Sequence, residues 1–132
     1  MISTAIAKSD RNALVVDDDP LIRWAVTETL GDLGYRVTQA VDGHGAAAAM
    51  LGPEPFRFVL LDVNLPDCDD LSVLTRLRSL SPETPMIVMT AHGTEEMTRH
   101  ALEIGAMTIL NKPFELNDLA DLVTGVRSCI ST

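Results

Sequence analysis

Five side chains in this sequence have the types and spacing to handle a phosphoryl group. Asp17 and Asp18 follow the apolar run Ala13-Leu14-Val15-Val16, Asp62 ends Phe58-Val59-Leu60-Leu61, Thr90 ends Met86-Ile87-Val88-Met89, and Lys112 follows the stretch from Met107 to Leu110. If these runs end on one edge, three carboxylates meet there and repel, and protonation or a cation must relieve them. Mg²⁺ suits such a site, because it takes oxygen ligands and is commonly held by one or two carboxylates plus phosphate oxygens. No cluster of Cys and His points to zinc. Lysine usage sharpens the reading: the only lysines are Lys8 and Lys112, beside eight arginines. A lysine at that edge is a compact point charge for a phosphoryl oxygen. An aspartate nucleophile, a divalent cation, a lysine and a hydroxyl are what phosphoryl transfer onto a carboxylate requires. Asp62 would attack in line while Lys112 and the cation neutralise the equatorial oxygens.

The elements that must bring these residues together follow from the hydrophobic pattern. Phe58 to Leu61 is apolar without a break, ends in Asp62 and meets Pro66 four residues later. An unbroken run of that length suits a strand covered on both faces, hence a parallel sheet between two helical layers. Ala13–Val16, Tyr35–Ala40, Met86–Met89 and Met107–Leu110 read as further strands. Helices are expected over Pro20–Leu33, from Asp42-Gly43 to Met50, over about Asp69–Leu80, from Thr94 to Gly105, and from Glu115 to about Cys129. Asp19 has the features of an N-cap ahead of Pro20 at the first helical position. Ile22, Ala25, Val26, Leu30 and Leu33 then share one helical stripe. Thr94 is expected to cap a helix whose first turn carries Glu95 and Glu96. Alternation of five strands with five helices predicts an α/β fold, a doubly wound five-stranded parallel sheet. In such sheets ligands bind beyond the carboxyl ends of the strands, where Asp17, Asp18, Asp62, Thr90 and Lys112 would lie.

At 132 residues the chain reads as one domain, able to bury roughly two thirds of its unfolded surface. Residues 1–11 are expected to form a flexible tail and residues 12–129 the folded domain. Cys68 and Cys129 form no CxxC pair and suggest a reducing compartment. No apolar run reaches the roughly 18 residues of a membrane span and no signal peptide is evident, so a cytoplasmic location without membrane contact is expected. A net charge of −9 argues against direct nucleic-acid binding, which needs clustered Lys and Arg.

Four segments carry a resemblance. Val15-Val16-Asp17-Asp18-Asp19, Leu60-Leu61-Asp62-Val63-Asn64-Leu65-Pro66, Met89-Thr90-Ala91 and Asn111-Lys112-Pro113-Phe114 resemble the signature segments of bacterial response-regulator receiver domains, in order and at the right strand ends. The resemblance covers about residues 12 to 128. It implies the flavodoxin-like receiver fold, with Asp62 taking phosphate from the phosphohistidine of a sensor histidine kinase or phosphotransfer protein. It implies Mg²⁺ held by Asp18, Asp62 and the main-chain carbonyl of Asn64, with Asp17 helping through water. Thr90 and Lys112 would contact the phosphoryl group, and Lys112-Pro113 would be a cis peptide. Asn64 and His92 stand where the family tunes the lifetime of the phosphoryl group. Trp24 is expected to pack on the rim of the first helix, near where receivers meet their kinase.

Two positions depart from the family pattern. Asp70 stands where glycine is usual, so the loop after Asp62 is either set differently or uses Asp69 and Asp70 to cap the next helix. Ile109 replaces the aromatic residue that commonly toggles with the threonine. The switch at Thr90 would then act chiefly through the loop that follows it. Three classes of function were compared. A phosphoacceptor switch fits all the site residues, whereas a phosphohydrolase needs a dedicated acid or base and usually a cap domain, and neither is found. A pseudo-receiver, acting only as a protein-binding module, predicts loss of an acidic-site residue. Output is left open: a stand-alone receiver or the N-terminal receiver of a longer, transcriptional regulator, with a downstream output domain or protein as partner and homodimerisation on the last helices as an alternative.

Overall fold

The computed structural model describes residues 11–67 and 70–131, with side chains described through Gly125. Ten elements alternate strictly. They are β1 (Asn12–Val16), α1 (Pro20–Asp32), β2 (Arg36–Ala40), α2 (Gly43–Met50), β3 (Phe58–Asp62), α3 (Ser72–Leu80), β4 (Met86–Thr90), α4 (Glu95–Ile104), β5 (Thr108–Asn111) and α5 (Leu116–Ser131). The strands form one parallel sheet in the order β2-β1-β3-β4-β5. The doubly wound α/β reading therefore holds.

Each central strand is buried throughout and feeds two cores at once. Leu14, Val16, Val59, Leu61, Met86 and Val88 pack on one face against Ala46 and Ala47 of α2, Val73, Leu74 and Leu77 of α3, and Ala101 of α4. Ala13, Val15, Phe58, Leu60, Ile87 and Met89 pack on the other against Val26 and Leu30 of α1 and Leu119 and Val123 of α5. Alternate side chains along a strand point to opposite faces, so a helical layer on each side removes every position from water. Tyr35 and Phe58 meet edge to face, with ring centroids 5.1 Å apart. Strand order reverses direction between β1 and β3, and a crevice opens there at the carboxyl ends.

Several local expectations hold and several are corrected. Asp19 caps α1 by accepting from the amides of Leu21 and Ile22, with Pro20 in the first turn. Thr94 caps α4, accepting from the Met97 amide, and Gly105 closes that helix at φ 125°, a backbone region that favours glycine. Leu33 is not on the buried stripe of α1. The helix ends at Asp32, Leu33 turns its amide back to the last carbonyls, and its side chain is exposed. The third helix starts at Ser72 rather than Asp69 and has no side-chain cap. The Asp70 carboxylate instead accepts from the Ser72 amide at 2.8 Å, a local turn that delays the helix. Trp24 lies on the outer surface of α1, 61 % exposed. The Lys112-Pro113 peptide is cis. The tail, apart from Arg11, and Cys68 and Asp69 lie outside the described residues, as does the side chain of Cys129.

Candidate functional site

The crevice is built from the ends of β1, β3 and β4 and the loop after β5. Backbone pairing of β1 continues one step past Val16, with the Asp17 amide donating to the Ala40 carbonyl at 3.1 Å. That extension carries Asp17 inside, where it is fully buried, while Asp18 next to it is exposed. Asp62 is the last residue of β3 and only 3 % exposed. β5 pairs with β4, and the Lys112 amide donates to the Thr90 carbonyl at 2.8 Å. This bond delivers the Lys112 side chain across the strand ends.

The Lys112 ammonium lies 2.8 Å from both Asp17 Oδ2 and Asp62 Oδ2. The other oxygens are also engaged. Asp17 Oδ1 accepts from the Asp19 amide at 2.9 Å, and Asp62 Oδ1 from the Asn64 amide at 2.8 Å. Burial pushes the Asp62 carboxyl above its ordinary range, with Asp17 adding to the rise, while the Lys112 ammonium and the Asn64 N–H pull against it. Burial opposes charge on Lys112, but bonds to Asp17 and Asp62 outweigh it and raise its pKa, so it is an ammonium at neutral pH.

Asp17, Asp18 and Asp62 can each offer an oxygen within 4.8 Å of the others, the one such group among the described residues. One lysine cannot balance two buried carboxylates with the exposed Asp18 beside them, and the excess negative charge favours a cation. The donors are all hard oxygens, which fit Mg²⁺ and give no preference to a thiolate- or imidazole-seeking metal.

Thr90 is buried at the end of β4, and its hydroxyl accepts from the His92 amide at 3.2 Å. Asn64 and His92 are both exposed. Ile109 lies on β5 beside Val88 and packs partly buried on the α2–α4 side of the sheet. The sequence reading missed two residues. Arg23 of α1 donates to the Asp17 carbonyl at 2.9 Å and to Gln39 of β2 at 3.0 Å. Asp67 accepts from the amides of Gly43 and His44, 24 and 23 residues away. Neither set of contacts leaves a local trace in the sequence, because the partners lie outside the residue's own element and all but the Gln39 side chain are main-chain groups.

Fold and crevice together define a doubly wound α/β domain with an oxygen-rich, lysine-bridged pocket at its topological switch point. The chain belongs to the response regulator receiver domain family of two-component signalling, which it matches over residues 13–124. It is 40 % identical over 110 residues to the response regulator protein FleR of Pseudomonas aeruginosa, covering 83 % of this chain and 23 % of that protein. The chain thus spans under a quarter of FleR. It is 34 % identical to the sporulation initiation phosphotransferase F of Bacillus subtilis, covering 83 % of this chain and 88 % of that one. A response regulator from Burkholderia pseudomallei, solved with a phosphorylated aspartic acid, calcium ion and citrate, superposes with TM-score 0.79 at 26 % identity. That match covers 92 % of this chain and 71 % of the other.

Proposed function

We propose that residues 12–129 form a cytoplasmic phosphoacceptor switch, with Asp62 taking a phosphoryl group from the phosphohistidine of a sensor kinase or phosphotransfer protein. The observation that carries this reading is the Lys112 ammonium held 2.8 Å from both Asp17 and Asp62 at the strand ends. Asp17, Asp18, Asp62 and the Asn64 carbonyl would hold Mg²⁺, which when bound supplies positive charge for the incoming phosphoryl oxygens. An Asp62 carboxylate oxygen forms the new bond to phosphorus as the bond to the donor imidazole breaks, and the imidazole keeps the electron pair. Lys112 stays charged and turns from the Asp62 oxygen toward a phosphoryl oxygen, with Asp17 still paired behind it. The Thr90 hydroxyl contacts another oxygen. Asn64 and His92 sit at the exposed rim, each tied by its amide to a site oxygen, and their side chains control access of the water that hydrolyses the acyl phosphate.

Phosphorylation then shifts an existing equilibrium between inactive and active forms and changes the contact with an output domain or separate protein. With Ile109 in place of an aromatic toggle, movement of Thr90 is passed mainly to the loop leading into α4. A pseudo-receiver is the weaker reading, since Asp17, Asp18, Asp62, Thr90 and Lys112 all stand at the strand ends. The related Burkholderia protein, crystallised with phosphorylated aspartate and a divalent ion, supports the same chemistry. Intact mass after incubation with Mg²⁺ and acetyl phosphate tests it. The parent gains one phosphoryl mass, and Asp62→Asn or a chelator abolishes the gain; an Asp62→Asn protein labelled as fully as the parent sinks the assignment.

A further inference from the structure

The loop after Asp62 is held at both ends by carboxylates. At its near end the Asn64 amide donates to Asp62 Oδ1 at 2.8 Å. At its far end Asp67 reaches a different element: Oδ1 accepts from the Gly43 amide at 2.9 Å and Oδ2 from the His44 amide at 3.1 Å. These are the first amides of α2, which an isolated helix leaves without partners. Asp42 is already the local N-cap, accepting from the Gly45 amide at 2.7 Å. Asp67 therefore takes the two donors that the local cap leaves open. The Gly43 N–H above all, with the His44 N–H, holds the Asp67 carboxyl below its ordinary range despite some desolvation.

Gly43 shows how closely the two segments are fitted. A Cβ there would come within 2.7 Å of Val73 Cγ2 and 3.4–3.5 Å of the Asp67 carboxylate oxygens. Between the two carboxylate ties, Leu65 is buried at 4 % exposure and fixes the middle of the loop. Asn64, exposed between Asp62 and Leu65, is bracketed by these three anchors, and among the described residues of the loop it is Asp67 that hydrogen-bonds to α2.

We propose that Asp67 is a positioning residue for the cation site: by clamping the loop onto the start of α2 it sets the direction of the Asn64 main-chain carbonyl. This rests on the phosphoacceptor reading, in which that carbonyl is a ligand. Ligand groups lose affinity when the contacts that orient them are removed. The hydrogen bonds of Asp67 among the described residues go to α2 rather than to Asp17, Asp62 or Lys112, so its effect on the cation site would pass through the loop.

Calorimetric titration with Mg²⁺ alone, with amide hydrogen exchange on the same samples, tests this in the parent, Asp67→Ala, Asp67→Glu and Asp42→Ala. Asp67→Ala speeds exchange at Gly43 and His44 and weakens Mg²⁺ binding about tenfold, the low end for groups that orient metal ligands. Asp67→Glu recovers most of the affinity. Asp42→Ala removes a cap from the same helix without touching the loop, and leaves Mg²⁺ affinity unchanged. Faster exchange in Asp67→Ala with unaltered Mg²⁺ affinity overturns the proposal and leaves Asp67 as a helix cap only. Equal weakening by Asp42→Ala also overturns it, because the effect would then run through helix stability. A parent that binds no Mg²⁺ overturns the metal-dependent reading together with this inference, whereas a parent that binds and an Asp67→Ala that binds equally overturns this inference alone.

Discussion

Lys112 is the residue on which the charge balance of the crevice turns. Its ammonium is the shared partner of a fully buried Asp17 and a nearly buried Asp62. Removing one member of a buried ion group leaves the others uncompensated, which usually costs more than the group contributed. Lys112→Gln is expected to lose on the order of 2 kcal/mol at neutral pH, below the usual range for buried pairs because Asp18 opens the cluster to water. Added Mg²⁺ should restore part of that loss by binding the folded state. Urea denaturation with and without Mg²⁺ checks this, and a loss indifferent to Mg²⁺ would contradict the charge account. The linkage has a definite sign. The pKa of Lys112 is raised in the fold, so its contribution is fully present below the unfolded value of about 10.4 and lost as pH climbs through the folded value. Asp62 has the same sign in a lower pH range: its raised carboxyl favours the protonated fold, so stability falls as pH rises from the unfolded value through the folded one. The fold thus holds an ionised Asp62 only at a cost in stability, a feature common at functional carboxylates.

At the scale of elements, helix starts and strand ends divide the work. The three aspartates after β1 have three separate tasks. Asp17 pairs with Lys112, Asp18 stays exposed in the acidic group, and Asp19 caps α1 through the amides of Leu21 and Ile22. Asp19→Ala is therefore expected to lower stability by about 1 kcal/mol, the usual cost of a lost N-cap. Labelling by acetyl phosphate at saturating Mg²⁺ should be unchanged, as thermal melts and mass spectrometry would show. Loss of labelling in a folded Asp19→Ala would move that residue into the site. The β4–α4 connection is equally close-fitted. A Cβ at Gly93 would lie 2.8 Å from Thr90 Cγ2 and 3.0 Å from Asn111 Oδ1. A side chain at position 93 would therefore collide with Thr90 and Asn111, and glycine lets the loop pass close to both.

Over the whole molecule, the site edge is continuous with an apolar surface. Leu21 and Trp24 on α1 are 72 % and 61 % exposed, and Leu116 at the start of α5 is 41 % exposed. Beside them Ile22, Ala25, Val26, Pro113, Phe114 and Leu116 line a groove of about 230 Å³ that reaches Lys112. Large exposed apolar side chains clustered beside a reactive group mark a surface for a macromolecular partner. On the proposed phosphoacceptor reading, a kinase or phosphotransfer protein presenting its phosphohistidine to Asp62 would cover this face. Trp24→Ala is expected to reduce kinase-driven labelling at least fivefold, in line with the loss of an aromatic anchor, with a much smaller effect on labelling by acetyl phosphate. Parallel rate measurements with the two donors decide it, and an equal loss with both would mean that Trp24 supports the fold rather than the partner.

Much of this was legible in the chain itself. The unbroken apolar runs of β1, β3 and β4 require burial on both faces, and their abrupt ends in Asp17, Asp62 and Thr90 place polar groups on one edge. Those inferences succeed because period and polarity are local properties that burial must obey. Boundaries were less legible at α3, where Asp70 bonds Ser72 in a turn, and at Trp24, whose exposure depends on what the rest of α1 leaves uncovered. Only the tertiary structure decided which strands are neighbours, that Lys112 bridges two carboxylates, that Arg23 holds the Asp17 carbonyl, and that Asp67 reaches across to α2. Each of these joins groups far apart in sequence or bonds a side chain to a main-chain group, and no residue pattern encodes a partner that the fold alone brings within reach.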